Sequence, residues 1–178
     1  MGKTDRISRL SAGLYWAGTV LACVLPLLVV LAILRGWFDP ATVLARFAQV
    51  PPGTRVTAFQ GALVAGLAAL SVAPMVAAFL AMRRLFGRYR VGEILTDGCA
   101  ADTLRTGQAL FAVAAVTVIL PTVQFLVLSR NAPAGGRILS IGVEGTTLGF
   151  LLSGAVLMTI GWVMREEARA AEENRRIV

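Results

Sequence analysis

Four stretches of this chain carry no charged residue: 11–34, 56–82, 106–129 and 145–164. A helix on the surface of a soluble protein shows a charged face in any window of that length. None of these stretches does. The hydrocarbon core of a bilayer is about 30 Å thick and takes about 20 apolar residues per helical crossing. The pattern therefore predicts an all-α, polytopic membrane protein. It would be a bundle of four transmembrane helices, with spans at about 11–34, 57–82, 107–128 and 140–164, in a single membrane domain over 1–178.

The segments between the runs have their own signals. Span two is expected to continue beyond the membrane through Arg83, Arg84, Leu85 and Phe86 to Tyr89. Thr96-Asp97 reads as the cap of a new helix, with Asp97 and Asp102 near its positive end. Residues 83–106 thus predict a helical hairpin that turns near 91–97. The first loop holds Pro40, Pro51 and Pro52, and Asp39 followed by Pro40 suits the start of a short surface helix. The third loop, Asn131-Ala132-Pro133-Ala134-Gly135-Gly136, predicts a tight turn. The tail over 165–178 should extend span four, with Glu166 spaced to meet Arg169, and Glu172 to meet Arg175 or Arg176.

Composition agrees with the pattern. The 178 residues are 57% hydrophobic, with mean hydropathy +0.75, which leaves a soluble domain too little polar surface. Four spans and their loops use nearly the whole length, so there is no room for a separate soluble catalytic unit. The net charge of +7 lies beside the spans, where it sets orientation; direct nucleic-acid binding is not expected. Twelve of the 17 Lys and Arg residues lie in the two tails and the central loop, and five in the other two loops. By the positive-inside rule both termini and the central loop face the cytoplasm. Lys3, Arg6 and Arg9 before an apolar run imitate a signal peptide, and Val20-Leu21-Ala22-Cys23 faintly imitates a lipoprotein box. The run stays apolar to Leu34, far beyond a typical h-region of about 7–15 residues, which predicts an uncleaved first span.

The candidate chemistry is sparse. The chain has no His, which removes the usual haem ligand and the commonest acid–base group. Cys23 and Cys99 read as free thiols. No cofactor, no metal and no enzymatic activity are expected. Pro26, Pro74 and Pro121 fall within spans, either as kinks around a cavity or as ordinary membrane-helix prolines. The polar groups inside the spans are led by Gln60, Gln108 and Gln124, and Thr117 lies seven residues from Gln124 on one side of span three. Glu144 is the one acidic residue that a span starting near Ile138 would bring into the bilayer. It reads as an intramembrane functional carboxylate or as one at the outer interface near a helix start. Gly145 and Gly149 form a GxxxG spacing suited to packing against a neighbouring span, and Gly61 and Gly66 offer similar surfaces.

Two further segments carry a resemblance. The first is Leu85-Phe86-Gly87-Arg88-Tyr89-Arg90-Val91-Gly92-Glu93-Ile94-Leu95-Thr96. The second is Val163-Met164-Arg165-Glu166-Glu167-Ala168-Arg169, followed by Glu172-Glu173-Asn174 and the terminal Val178. With four spans and this length, the chain resembles domain-of-unknown-function family 2975, a family of small bacterial membrane proteins; at position 167 that family more often has Gly. The resemblance implies a place in the bacterial inner membrane and, by analogy, a membrane-bound partner of a small helix-turn-helix regulator. Arg88, Tyr89, Arg90, Gly92 and Glu93 are the partner-binding candidates. Arg83 and Arg84 read as anchors in the lipid headgroups. Three functions stay open: a non-enzymatic membrane protein that binds a cytoplasmic partner through its central loop and tail; a small transporter or channel component using Glu144 and the glutamines; and an accessory subunit of a larger membrane complex.

Overall fold

A computed structural model describes residues 3–36, 39, 42, 54, 56–93, 96–130 and 144–177, with side chains between Leu10 and Ala170. It contains four long helices: α1 Lys3–Leu34, α2 Ala58–Arg90, α3 Asp97–Ser129 and α4 Gly145–Ile177. No strand occurs among the described residues. At 1.5 Å per residue each helix is about 50 Å long, well beyond the bilayer core. All four are long and apolar enough to cross a membrane.

Burial supports the same reading. Only 11% of the apolar window of α1 is buried, and even that of α3 reaches only 33%. Leu27, Leu28, Val30, Leu126, Leu152 and Val156 all lie exposed. A soluble monomer rarely exposes an apolar patch of more than a few hundred Å², whereas lipid covers such faces without cost. The chain is a multi-pass membrane protein by this criterion.

Local chemistry sets the helix ends. Thr57 and Gln60 form a capping box at the start of α2: the Thr57 hydroxyl accepts from the Gln60 backbone N–H, and the Gln60 side-chain Oε1 accepts from the Thr57 N–H. Gln60 therefore stands in the first turn of α2, at one edge of the span. Beyond Arg90 the chain closes a Schellman turn. Gly92 takes φ +81°, its N–H donates to the Tyr89 carbonyl, and the Glu93 N–H donates to the Arg88 carbonyl. The Thr96 side chain then caps α3 by accepting from the Cys99 N–H. The hairpin expected over 83–106, turning near 91–97, is thus two helices joined by residues 91–96. Pro26, Pro74 and Pro121 lie inside α1, α2 and α3, which continue through them. Glu144 stands outside the helix, and α4 begins at Gly145. The expected short helix after Asp39, the turn over 131–136 and the ion pairs of Glu172 lie outside the described residues or side chains.

The helices pack in chain order, α1 on α2, α2 on α3 and α3 on α4; among the described residues no other pair touches. α3 and α4 approach most closely, through small residues repeated every seven positions. Ala100, Gly107 and Ala114 on α3 run opposite Thr147, Gly154 and Gly161 on α4. A Cβ on Gly107 would lie 2.8 Å from the Gly154 carbonyl oxygen, and one on Gly161 would lie 3.1 Å from that of Ala100. At the far end the Thr117 and Thr147 hydroxyls are 3.4 Å apart. A seven-residue repeat keeps such a seam facing its partner through a left-handed supercoil. A Cβ on Gly145, Gly149 or Gly66, the glycines expected to pack, would meet nothing within 4 Å among the described residues.

Between α2 and α3 the contact is aliphatic and amide-based. Val64, Phe125 and Leu128 form the buried cluster. Gln60 Nε2 donates to the Val127 carbonyl at 2.9 Å, and Gln124 Nε2 donates to the Val64 carbonyl at 3.3 Å. Each helix thus donates one amide to the other's backbone. Such bonds are worth about 0.6 kcal/mol in membrane proteins. Gln124→Leu should lower stability by about that much, and Gln60→Leu by about 1–2 kcal/mol because it also removes the capping box. Reversible unfolding in mixed micelles measures both; equal effects would contradict the capping role.

Candidate functional site

The start of α1, the end of α2, the start of α3 and the end of α4 lie at one end of the molecule. Tyr15 meets Arg83, Arg88 meets Asp102, and Gly161 meets Ala100. Most of the charged side chains of the helices gather here, beyond the ends of the uncharged runs.

The end of α2 divides its cations between two neighbours. Arg83 and Arg90 turn to α1, where their guanidinium carbons lie 4.9 and 5.3 Å from the centre of the Tyr15 ring. Arg83 Nη2 also donates to the Tyr15 hydroxyl at 2.8 Å. Gly87 lies one turn from Arg83 beside the same ring, where a Cβ would make ordinary contact at 3.8 Å. Trp16 stacks edge-on against Tyr15. Aromatic residues and arginines at a span end mark the lipid headgroup level.

On the other face, Arg88 reaches α3. Its Nε donates to Asp102 Oδ2 at 2.7 Å, and Nη1 donates to Glu93 Oε2 at 3.2 Å. Arg105 Nη1 donates to the remaining Asp102 oxygen at 3.1 Å. The Asp102 side chain is only 3% exposed, so both its oxygens rely on these two arginines. Hydrogen bonding to Asp102, with Glu93 next, raises the Arg88 guanidinium above its ordinary pKa and keeps it charged. Gly98 lies under this contact: a Cβ there would come within 2.5 Å of Arg88 Nη1. Arg84, Gly87, Arg88, Val91, Asp102 and Arg105 line an open groove of about 380 Å³.

The residues singled out from sequence take separate roles. Arg88 and Glu93 pair with each other, and Glu93 is tied to Arg88 by backbone as well. Tyr89 turns inward beside Cys99 and Thr103, and burial pushes its hydroxyl up to about 12. Arg90 stacks on Tyr15, and Gly92 supplies the turn. Glu144 is exposed just before α4: its carbonyl accepts from the Thr147 N–H, and its carboxylate accepts from the Thr146 hydroxyl at 3.3 Å. Gln124 bonds to α2 and not to Glu144. Gln108 is exposed one turn from Arg105. Cys99 is fully buried and burial raises its thiol pKa, so it is not poised to react. Sequence reasoning missed Tyr15 and the Asp102 clasp. The available signals were the spacing of Arg83, Gly87 and Arg90 on one helix face, and an Asp within reach of Arg88 across a short turn.

The arrangement can hold an anionic oxygen. Among the described residues no three His, Cys, Asp or Glu side chains cluster to hold a metal. No protein-family model, no curated protein and no solved structure matches this chain.

Proposed function

We propose that the chain is a non-enzymatic protein of the bacterial inner membrane that presents the α2–α3 hairpin and the end of α4 to a cytoplasmic protein partner. A small helix-turn-helix regulator is the kind of partner that the family resemblance implies. Both termini and the hairpin lie in the cytoplasm, in keeping with the 12 of 17 Lys and Arg residues carried by those segments.

The observation that supports this reading is the hairpin tip. Val91 is 73% exposed. It sits on a turn fixed by the Gly92 Schellman bonds and by the pairing of Arg88 with Asp102 and Glu93. A large apolar side chain exposed beside these bonded residues offers an anchor, and buried apolar anchors dominate binding energy. α4 runs on beyond Met164 to Ile177, about 20 Å of helix at the same end.

Arg88 and Glu93 are structural here, so changing them disturbs the turn itself. Val91 takes part in none of these ion pairs, so Val91→Glu leaves them in place and changes the exposed tip at the rim of the groove. Tagged chains extracted in mild detergent should co-purify a cytoplasmic protein with the wild type, and recover about tenfold less with Val91→Glu. Identical recovery from both would remove the docking role of the hairpin.

A further inference from the structure

We propose that the groove between α2 and α3 is a binding site for the phosphate of an anionic phospholipid headgroup. The inference rests on the chain crossing a bilayer and is independent of partner docking.

Three guanidiniums and one carboxylate line the groove. Arg105 is 59% exposed and Arg88 40%, so both present N–H groups outward while Asp102 holds them from behind. Asp102 spends one oxygen on Arg88 Nε and the other on Arg105 Nη1. No hydrogen bond joins Arg88 Nη2, Arg105 Nε, Arg105 Nη2 or the Arg84 side chain to another described residue. Glu93 is the other acidic group nearby, and it engages Arg88 Nη1. The lining keeps more positive than negative charge, with free donors in the fork geometry that suits phosphate oxygens.

Depth selects the source of the phosphate. Arg84 follows the uncharged run 56–82 by two residues, and Arg105 immediately precedes the run 106–129. Both therefore stand where hydrocarbon gives way to headgroups, and Arg88 and Asp102 lie only about one turn further out. Tyr15 and Trp16 mark the same level on α1. Basic pockets between spans at this depth meet lipid phosphates before any soluble anion.

The test uses the purified full-length chain, delipidated in neutral detergent and titrated with phosphatidylglycerol or phosphatidylcholine under native mass spectrometry. The first phosphatidylglycerol should bind about five- to tenfold more tightly than phosphatidylcholine. Arg84→Gln with Arg105→Gln should abolish that preference, and Arg165→Gln, on α4 away from the groove, should leave it intact. Asp102→Asn is the sharper variant. It raises the net positive charge, yet it should weaken phosphatidylglycerol binding because both arginines lose their support. If Asp102→Asn retains or strengthens the preference, attraction is diffuse and the site is wrong. Should that variant fail to fold, as judged by circular dichroism, the Arg84→Gln/Arg105→Gln pair carries the same decision. Excess inorganic phosphate should not displace the lipid; displacement would assign the groove to a soluble phosphate and overturn the proposal.

Discussion

Gly107→Ala should destabilise the protein by about 1–3 kcal/mol, the usual cost of forcing extra atoms into a packed contact. Gly149→Ala should not destabilise it at all. Both substitutions add one methyl group to a glycine in a membrane helix. At Gly107 that methyl would lie 2.8 Å from the Gly154 carbonyl oxygen and 2.9 Å from the Met158 nitrogen, backbone atoms that cannot rotate away. α3 and α4 would have to separate, loosening the contact along the seam. At Gly149 the methyl meets nothing within 4 Å, and Ala favours the helix by about 1 kcal/mol over Gly. Unfolding in mixed micelles, scored by retained helicity, distinguishes the two. A destabilising Gly149→Ala beside a harmless Gly107→Ala would mean that α4 packs through its Gly145 face.

Arg88→Met should open the hairpin while leaving the spans intact. Met keeps much of the apolar stem and deletes the charge. Asp102, 3% exposed, would then hold a carboxylate oxygen against the α2–α3 contact with Arg105 as its remaining partner. Glu93 would lose its side-chain tie to α2. A buried charge that loses its partner favours local opening and hydration. Backbone amides over 91–99 should exchange hydrogen about tenfold faster or more, with those of α3 beyond Val113 unchanged. Unchanged exchange over 91–99 would show that the Gly92 turn and the Thr96 cap hold the hairpin without the clasp. Gly98→Ala should act in the same direction but more weakly, because the Arg88 side chain can swing aside.

These two expectations separate what the sequence displays from what it conceals. The spans were legible because an uncharged run leaves a helix no stable place in water. The hairpin was legible because its signals are local: Thr96 before α3 and the glycine at the end of α2 act within a few residues. The neighbour of each helix face was not. In lipid the inward face is no more hydrophobic than the outward one, so hydropathy does not mark it. Small size marks it, and Gly107, Gly154 and Gly161 lie in two different spans, where a search for a four-residue spacing finds only Gly145 and Gly149. The arginines were misleading for a related reason. Arg88 and Arg90 read as members of one partner-binding set, yet the helical turn of 100° per residue sends Arg90, with Arg83, to Tyr15 and Arg88 to Asp102. Gln60 and Gln124 looked like candidates for a polar path, but their amides bond across α2 and α3, and Glu144 lies exposed outside α4.

Four helices are long and apolar enough to cross a membrane, and the proposed function places their hairpin inside the cell. Cys99 is fully buried and cannot report on this. Val91, at the tip, is 73% exposed and Glu144, at the opposite end, is exposed too. In a Cys23→Ala background, Val91→Cys should react with a membrane-impermeant maleimide only after the cells are permeabilised, and Glu144→Cys should react in intact cells. Labelling of Val91→Cys in intact cells, with Glu144→Cys protected, would place the hairpin outside the cell and overturn the proposed topology.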